Sequence, residues 1–220
     1  NSAQLSKGLM YPQPAFRMDD SEQAAAFIEA RHFATLVVAG PAGPQAAHIP
    51  MILNRDATGR PVSLEGHVAN NNPVAALAAS GARALAIFQG ADAYVTPSLY
   101  LSKRDHGKVV PTWNYIAVHA TGVATAFNDP AELRSQVSRI TDMMENEAAA
   151  PWAASDAPED YITKLLNGIT GLRLAVESLQ GIRKLSQNRA EGDRMAVLNG
   201  FEHSNDPAAR ELASEMKKKA

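Results

Sequence analysis

The sequence predicts an α+β protein built on an antiparallel sheet or barrel, and three observations carry that prediction. Six or seven strand-like segments follow one another over short connections, one short helix is inserted early, and the remaining helical segments gather late. Strands that do not alternate with crossover helices argue against a doubly wound parallel sheet. A length of 220 residues suits one domain with appended helices, spanning 1–220.

Each element follows from local pattern. Asp20-Ser-Glu-Gln23 has the form of a helix cap, and Ala24, Phe27, Ile28 and Arg31 recur behind it at helical spacing. Phe33 to Ala39 is β-branched and apolar, Gly40 to Pro44 is a turn, and Gln45 to Leu53 reads as a second strand. Pro50 lacks an N–H, which predicts an edge or a bulge there. Val62 to Val68 reads as a third strand. Asn72 and Pro73 have the form of an N-cap and first helical residue, with Val74 to Ala79 the helix and Gly81 its end. Arg83 to Gln89 and Ala91 to Thr96 are two strand candidates, and Trp113 to Phe127 is a long strand with a possible bend at Gly122. Asn128-Asp129-Pro130 caps a helix to about Glu147, Pro158 to Asn167 makes a shorter helix, Gly171 to Leu179 alternates as a last strand, and the chain from Ala190 onward is helical.

Composition removes whole classes of chemistry. Twenty-one Lys and Arg against 23 Asp and Glu leave a net charge of −2, without the basic footprint of nucleic-acid binding. The absence of cysteine excludes disulfides, thiolate zinc sites, iron–sulfur clusters and a cysteine nucleophile. Residues 1–11 lack a basic region followed by an apolar run, and no stretch has the roughly 18 apolar residues of a membrane span. The expectation is a cytoplasmic protein with no membrane association. The glycine-rich nucleotide loops, the His-Glu-X-X-His helix and the Gly-X-Ser-X-Gly elbow are all missing, and six histidines show no metal-ligand spacing. No metal is expected, and any redox chemistry would come from a cofactor.

Four clusters concentrate the remaining chemistry. In Glu65 to Pro73 a strand ends near His67 and a helix begins at Asn72, so free N–H groups with Asn70, Asn72 and His67 suit an anion. The same residues equally suit a plain helix cap and a satisfied sheet histidine. His48, before Ile49 and Pro50, gains meaning if its strand lies beside that of His67. Trp113 and Tyr115 alternate to one face with Asn114 on the other, which suits either a planar ring or ordinary packing. Lys184-Leu-Ser-Gln-Asn-Arg189 is dense in donors: Lys184 and Arg189 can neutralise phosphate charge, with Ser186, Gln187 and Asn188 as neutral partners, although a solvated loop has the same composition.

Taken in order, Met10-Tyr-Pro12, Phe33-Ala-Thr-Leu36, His48-Ile-Pro50, Gly66-His-Val-Ala69 with Asn72-Pro73, Ala93 to Tyr100, Val110 to Tyr115 and Lys184 to Asn188 closely resemble the PaiB-type FMN-binding negative transcriptional regulators. The resemblance covers nearly the whole chain. It implies an antiparallel split β-barrel, related to the pyridoxamine-phosphate-oxidase-like flavoproteins, with a short inserted helix and peripheral and C-terminal helices. It also implies FMN as cofactor and a homodimer with the flavin at its interface. Carried over by motif, the cofactor-binding set is His48, Pro50, His67, Asn70, Asn72, Trp113, Asn114, Tyr115, Lys184, Ser186, Gln187 and Asn188, with His67, Asn70 and Asn72 at the flavin-phosphate end. No catalytic residue is assigned.

The family name implies transcriptional regulation, yet no helix-turn-helix or basic stripe is visible. The expected function is therefore an FMN-binding flavoprotein that regulates indirectly, through a small-molecule or redox signal, rather than by contacting DNA. A flavin-dependent oxidoreductase of unknown substrate is the alternative. A haem-binding split-barrel protein ranks behind it, with His48, His67 and His119 as the axial candidates.

Overall fold

The computed structural model describes residues 13–18 and 20–218. The Met10-Tyr-Pro12 motif, the segment read for a leader and Lys219 lie outside the described residues. The elements are α1 (Ser21–Arg31), β1 (Phe33–Val38), β2 (Gln45–Pro50), β3 (Ile52–Arg55), β4 (Pro61–Ala69), α2 (Pro73–Ala79), β5 (Arg83–Val95), α3 (Ser102–His106), β6 (Thr112–Phe127), α4 (Pro130–Glu145), α5 (Glu159–Leu166), β7 (Ile169–Lys184), α6 (Glu191–Glu202) and α7 (Pro207–Lys218). They fall into two compact units. One takes in the described residues up to Ala24, Gln89–Val118 and those from Gln180 on; the other is Ala25–Phe88 with His119–Leu179.

The second unit carries residues of all seven strands, ordered β2-β1-β5-β6-β7-β4-β3. β1 pairs antiparallel with β2 and β5, and β4 antiparallel with β3 and β7. The predicted strand from Gln45 to Leu53 is divided. Pro50 cannot donate to a ladder, and the next backbone N–H, on Met51, bonds the carbonyl of His32 instead of a strand partner. The chain turns there, so β2 pairs with β1 while β3 pairs with β4, and one stretch of chain serves both edges of the strand order. Leu36, Val38, Leu64, Val68, Ala86, Leu172 and Leu174 alternate into the core. Two glycines mark close approaches. A Cβ on Gly66 would lie 2.7 Å from the Pro50 carbonyl oxygen, and one on Gly122 would lie 1.7 Å from that of Ala175.

The predicted caps are present. Asn72 Oδ1 accepts from the N–H of Val74, and Asp129 accepts from that of Glu132. Helix α4 uses the outward-facing residues of β4: Arg139 pairs with Glu65, which also binds Arg173, and Arg173 binds Glu132. Burial pushes the Glu65 carboxyl up, but Arg173 and Arg139 together hold it below its ordinary value.

The two candidate strands around Gly90 are one strand, β5, and β7 runs on to Lys184, well beyond the predicted end at Leu179. The turn-rich stretch after β5 holds a 3₁₀ turn at Pro97–Leu99 followed by α3. Ser102 fastens this stretch to α6, donating through its hydroxyl (2.6 Å) and its N–H (3.0 Å) to Asp193. Near the N-terminus a 3₁₀ turn, Pro14–Phe16, is joined to β7: Met18 N–H bonds the Gly181 carbonyl, and Arg17 bridges Ile182. Gly181 permits this, because Met18 Sδ would lie 2.2 Å from a Cβ there.

Candidate functional site

The site residues predicted in the unit of Ala25–Phe88 and His119–Leu179 are each engaged separately. His48 lies opposite Thr35 on β1, and its Nδ1 is 3.0 Å from Thr35 Oγ1. Pro50 lies half-buried at the end of β2. His67 faces outward under α4, with Nδ1 2.9 Å from Oε1 of the buried Gln136. Because β2 pairs with β1 and β4 with β3 and β7, no register sets His48 beside His67. The Asn70 amide donates to the Asn167 carbonyl and accepts from Thr170 Oγ1, at 2.7 and 2.8 Å. Asn72 caps α2. Asn70 also lines a cleft of about 260 Å³ with Asn128, Pro130, Leu133, Leu166, Asn167 and Ile169.

The other unit assembles its residues differently. β6 buries Asn114, 1% exposed, and leaves Trp113 52% exposed, the alternation its sequence predicts. Trp113 meets Tyr94 edge to face at 6.1 Å, and Tyr115 is half-buried. Asn114 Nδ2 donates to Ser186 Oγ at 3.0 Å, while Lys184 Nζ donates to Thr112 Oγ1 at 2.6 Å. These contacts tie the end of β7 and the strap that follows it to the start of β6. They frame a cleft of about 170 Å³ lined by Thr112, Asn114, Lys184, Ser186, Asn188 and Arg189, with Gln13 and Phe16 closing it from the N-terminal turn.

The strap has two faces. Lys184, Ser186 and Asn188 line that cleft, whereas Leu185 and Gln187 line another of about 250 Å³ with Glu191, Arg194 and Met216; Arg189 borders both. Ser186 reaches its place with φ 61°, in the left-handed region that a serine rarely adopts. Gln187 braces the strap, accepting from the Leu185 N–H and donating to the Arg183 carbonyl. The donor cluster read from sequence as one site is thus divided, with Gln187 away from the other three.

The lining of the first cleft has the chemistry to hold an anion. It brings together two cations and five neutral polar side chains, and no carboxylate is among its described lining residues. Burial pulls the Lys184 amine below its ordinary value, and the charge of Arg189 adds to that pull. The charge of a bound anion would offset both effects. Arg55, Arg83, Arg134, Arg139 and Arg173 of the other unit are each ion-paired to a carboxylate, whereas Arg189 feels the charge of Asp193 from a neighbouring position. Arg189 is set in place by Tyr100, whose buried ring lies 4.7 Å below its guanidinium. The set carried over by motif leaves out Arg189, which the reading of the residues themselves names beside Lys184, and Thr112, which carries no local sign of its place in this cleft.

The chain matches the family described as "Putative FMN-binding domain" over residues 10–178. It is 36% identical over 217 residues to an uncharacterised protein of Aspergillus fumigatus, covering 80% of this chain and 82% of that one. It is 30% identical over 210 residues to protease synthase and sporulation protein PAI 2 of Bacillus subtilis, covering 96% and 98%. Among solved structures, the FAD and heme binding protein from Mycobacterium smegmatis has a TM-score of 0.58 at 16% identity, over 82% of this chain and 78% of that chain. The flavocytochrome Anf3 from Azotobacter vinelandii has a TM-score of 0.56 at 13% identity, over 82% and 75%. The two structures are likenesses of fold, and the antiparallel α+β architecture described above agrees with them. With a family match over residues 10–178 and a PAI 2 alignment over 96% of its length, the chain belongs to the PaiB-type FMN-binding family of split-barrel proteins.

Proposed function

We propose that this protein binds FMN and holds its phosphate in the cleft of Lys184, Arg189, Thr112, Asn114, Ser186 and Asn188. The observation that supports the reading is this pair of cations gathered with neutral donors and with no carboxylate among the described lining residues. At about 170 Å³ the cleft is smaller than the roughly 300–1,000 Å³ of whole-ligand pockets, so it suits a phosphate with the rest of the molecule outside. Lys184 and Arg189 would neutralise the phosphate charge, and the buried Asn114–Ser186 pair would keep the strap in register with it. Bound FMN would supply one- and two-electron transfer chemistry.

In this reading a second copy of the chain completes the site as a homodimer, and His48, Pro50, His67, Asn70 and Asn72 remain individual candidates for contact with the flavin. The exposed Tyr94–Trp113 pair is apolar surface suited to a ring or to that partner. The proposed role is regulatory, through a small molecule or the redox state of the flavin and without direct DNA contact, in keeping with the net charge of −2.

The test compares FMN with riboflavin, which lacks the phosphate, by flavin fluorescence quenching and by retention of flavin absorbance through desalting. Lys184→Gln should weaken FMN binding by about tenfold or more, the scale of one charge-assisted contact, and leave riboflavin binding unchanged. Equal losses for both ligands, or none for FMN, would remove the phosphate from this cleft.

A further inference from the structure

The alternation along the strap leaves the second cavity without a role in holding the phosphate. Its floor is apolar, from Leu185 and Met216, which are 2% and 1% exposed. Its rim is charged: among the described residues Arg189, Arg194 and Glu191 border it, two cations to one anion. Arg194 is fixed from beneath, donating to the Met216 carbonyl at 2.9 Å, while its contact to Glu191 is long, at 3.4 Å, with the Glu191 side chain 72% exposed. That loose carboxylate occupies a guanidinium which an incoming carboxylate can take over. At about 250 Å³ the space suits a compact ligand.

Arg189 is common to both linings. A ligand drawing its guanidinium toward the second cavity changes the charge facing the first. Gln187, bonded on both sides to the strap backbone, makes the wall between them a braced segment rather than a loose loop. We infer that the cavity lined by Leu185, Gln187, Glu191, Arg194 and Met216 is an effector site. Its ligand is a small molecule with an apolar body and one carboxylate, and Arg189 couples it to the anion cleft. The coupling rests on the reading that the cleft holds the flavin phosphate; the cavity's own ligand chemistry does not.

Phenylacetate serves as the probe on the full chain, with its binding measured by calorimetry and FMN affinity measured separately with and without it. Phenylacetate should bind in the millimolar range or tighter, Arg194→Gln should weaken it about fivefold or more, and Glu191→Gln on the exposed rim should strengthen it about twofold. Lys184→Gln should leave it unchanged. Saturating phenylacetate should shift FMN affinity by about fivefold, with FMN shifting phenylacetate by the same factor. If FMN fails to bind while phenylacetate keeps its opposite responses to the two rim variants, the cavity assignment is sustained and only the flavin reading falls. Three results overturn the inference: no phenylacetate binding at about 10 mM, binding indifferent to both rim variants, or FMN affinity unmoved in protein that binds both ligands.

Discussion

Gly122→Ala is the sharpest test of the strand pairing inside the unit of Ala25–Phe88 and His119–Leu179. A Cβ built there lies 1.7 Å from the Ala175 carbonyl oxygen and 2.9 Å from its carbon, and both obstacles are backbone. Ordinary contact begins near 3.4 Å, so β6 and β7 would have to part locally by about 1.7 Å. That opens the ladder on either side of the contact. Two neighbouring hydrogen bonds lost, each with a buried group left unpaired, cost about 3–5 kcal/mol in all. For a chain of this length that is roughly 6–20 °C in Tm. The assay is urea unfolding followed by circular dichroism, with Gly192→Ala as the companion. At Gly192 the added Cβ meets a flexible Leu101 methyl at 3.4 Å, and helix propensity predicts a gain of up to about 1 kcal/mol. A Gly122→Ala protein within about 1 kcal/mol of the parent would show that β6 and β7 do not approach as described.

Three further outcomes are expected. Glu65 is buried between Arg139 and Arg173 with a depressed pKa, so its contribution is present above the unfolded carboxylate value and is lost as pH falls through the lower folded value. Glu65→Gln should cost about 2 kcal/mol at pH 7, a discounted figure because both guanidiniums are partly exposed, and it should flatten the acid limb of a stability–pH profile below about pH 4.5. Asn72→Ala removes the α2 cap and should lower stability by about 1 kcal/mol in thermal melts; unchanged FMN affinity in that protein would take Asn72 out of the flavin site. Burial and Arg189 hold Lys184 below the ordinary lysine value of about 10.4, so FMN affinity, followed by fluorescence, should fall on the alkaline side before that pH, and the fall should vanish in Lys184→Gln.

Much of this architecture is legible in local sequence. Asn72-Pro73 and Asp129-Pro130 announce their helices because a cap and a following proline act within one turn, and both caps are found in place. The alternation of Trp113, Asn114 and Tyr115 sets exposed, buried and half-buried positions for the same reason, since a strand turns every residue to the opposite face. Where local pattern failed, continuity was at issue. Gly90 does not interrupt β5, and the alternating run ending at Leu179 continues through Gly181 to Lys184 once Met18 and Arg17 supply backbone partners.

The sequence by itself determined the α+β class, the capped helices α2 and α4, and the concentration of donors between Lys184 and Arg189. Tertiary structure decided what those donors face. Asn114 and Ser186 are far apart in the chain and meet only through the fold, Thr112 joins them from the start of the same strand, and the strap then divides its even and odd residues between two cavities. It also decided that His48 lies across from Thr35 while His67 packs under α4. The physical reason is range: caps and periodicity are settled within a few residues, whereas strand register and the partner of a buried polar group depend on segments that the chain brings together only when it folds.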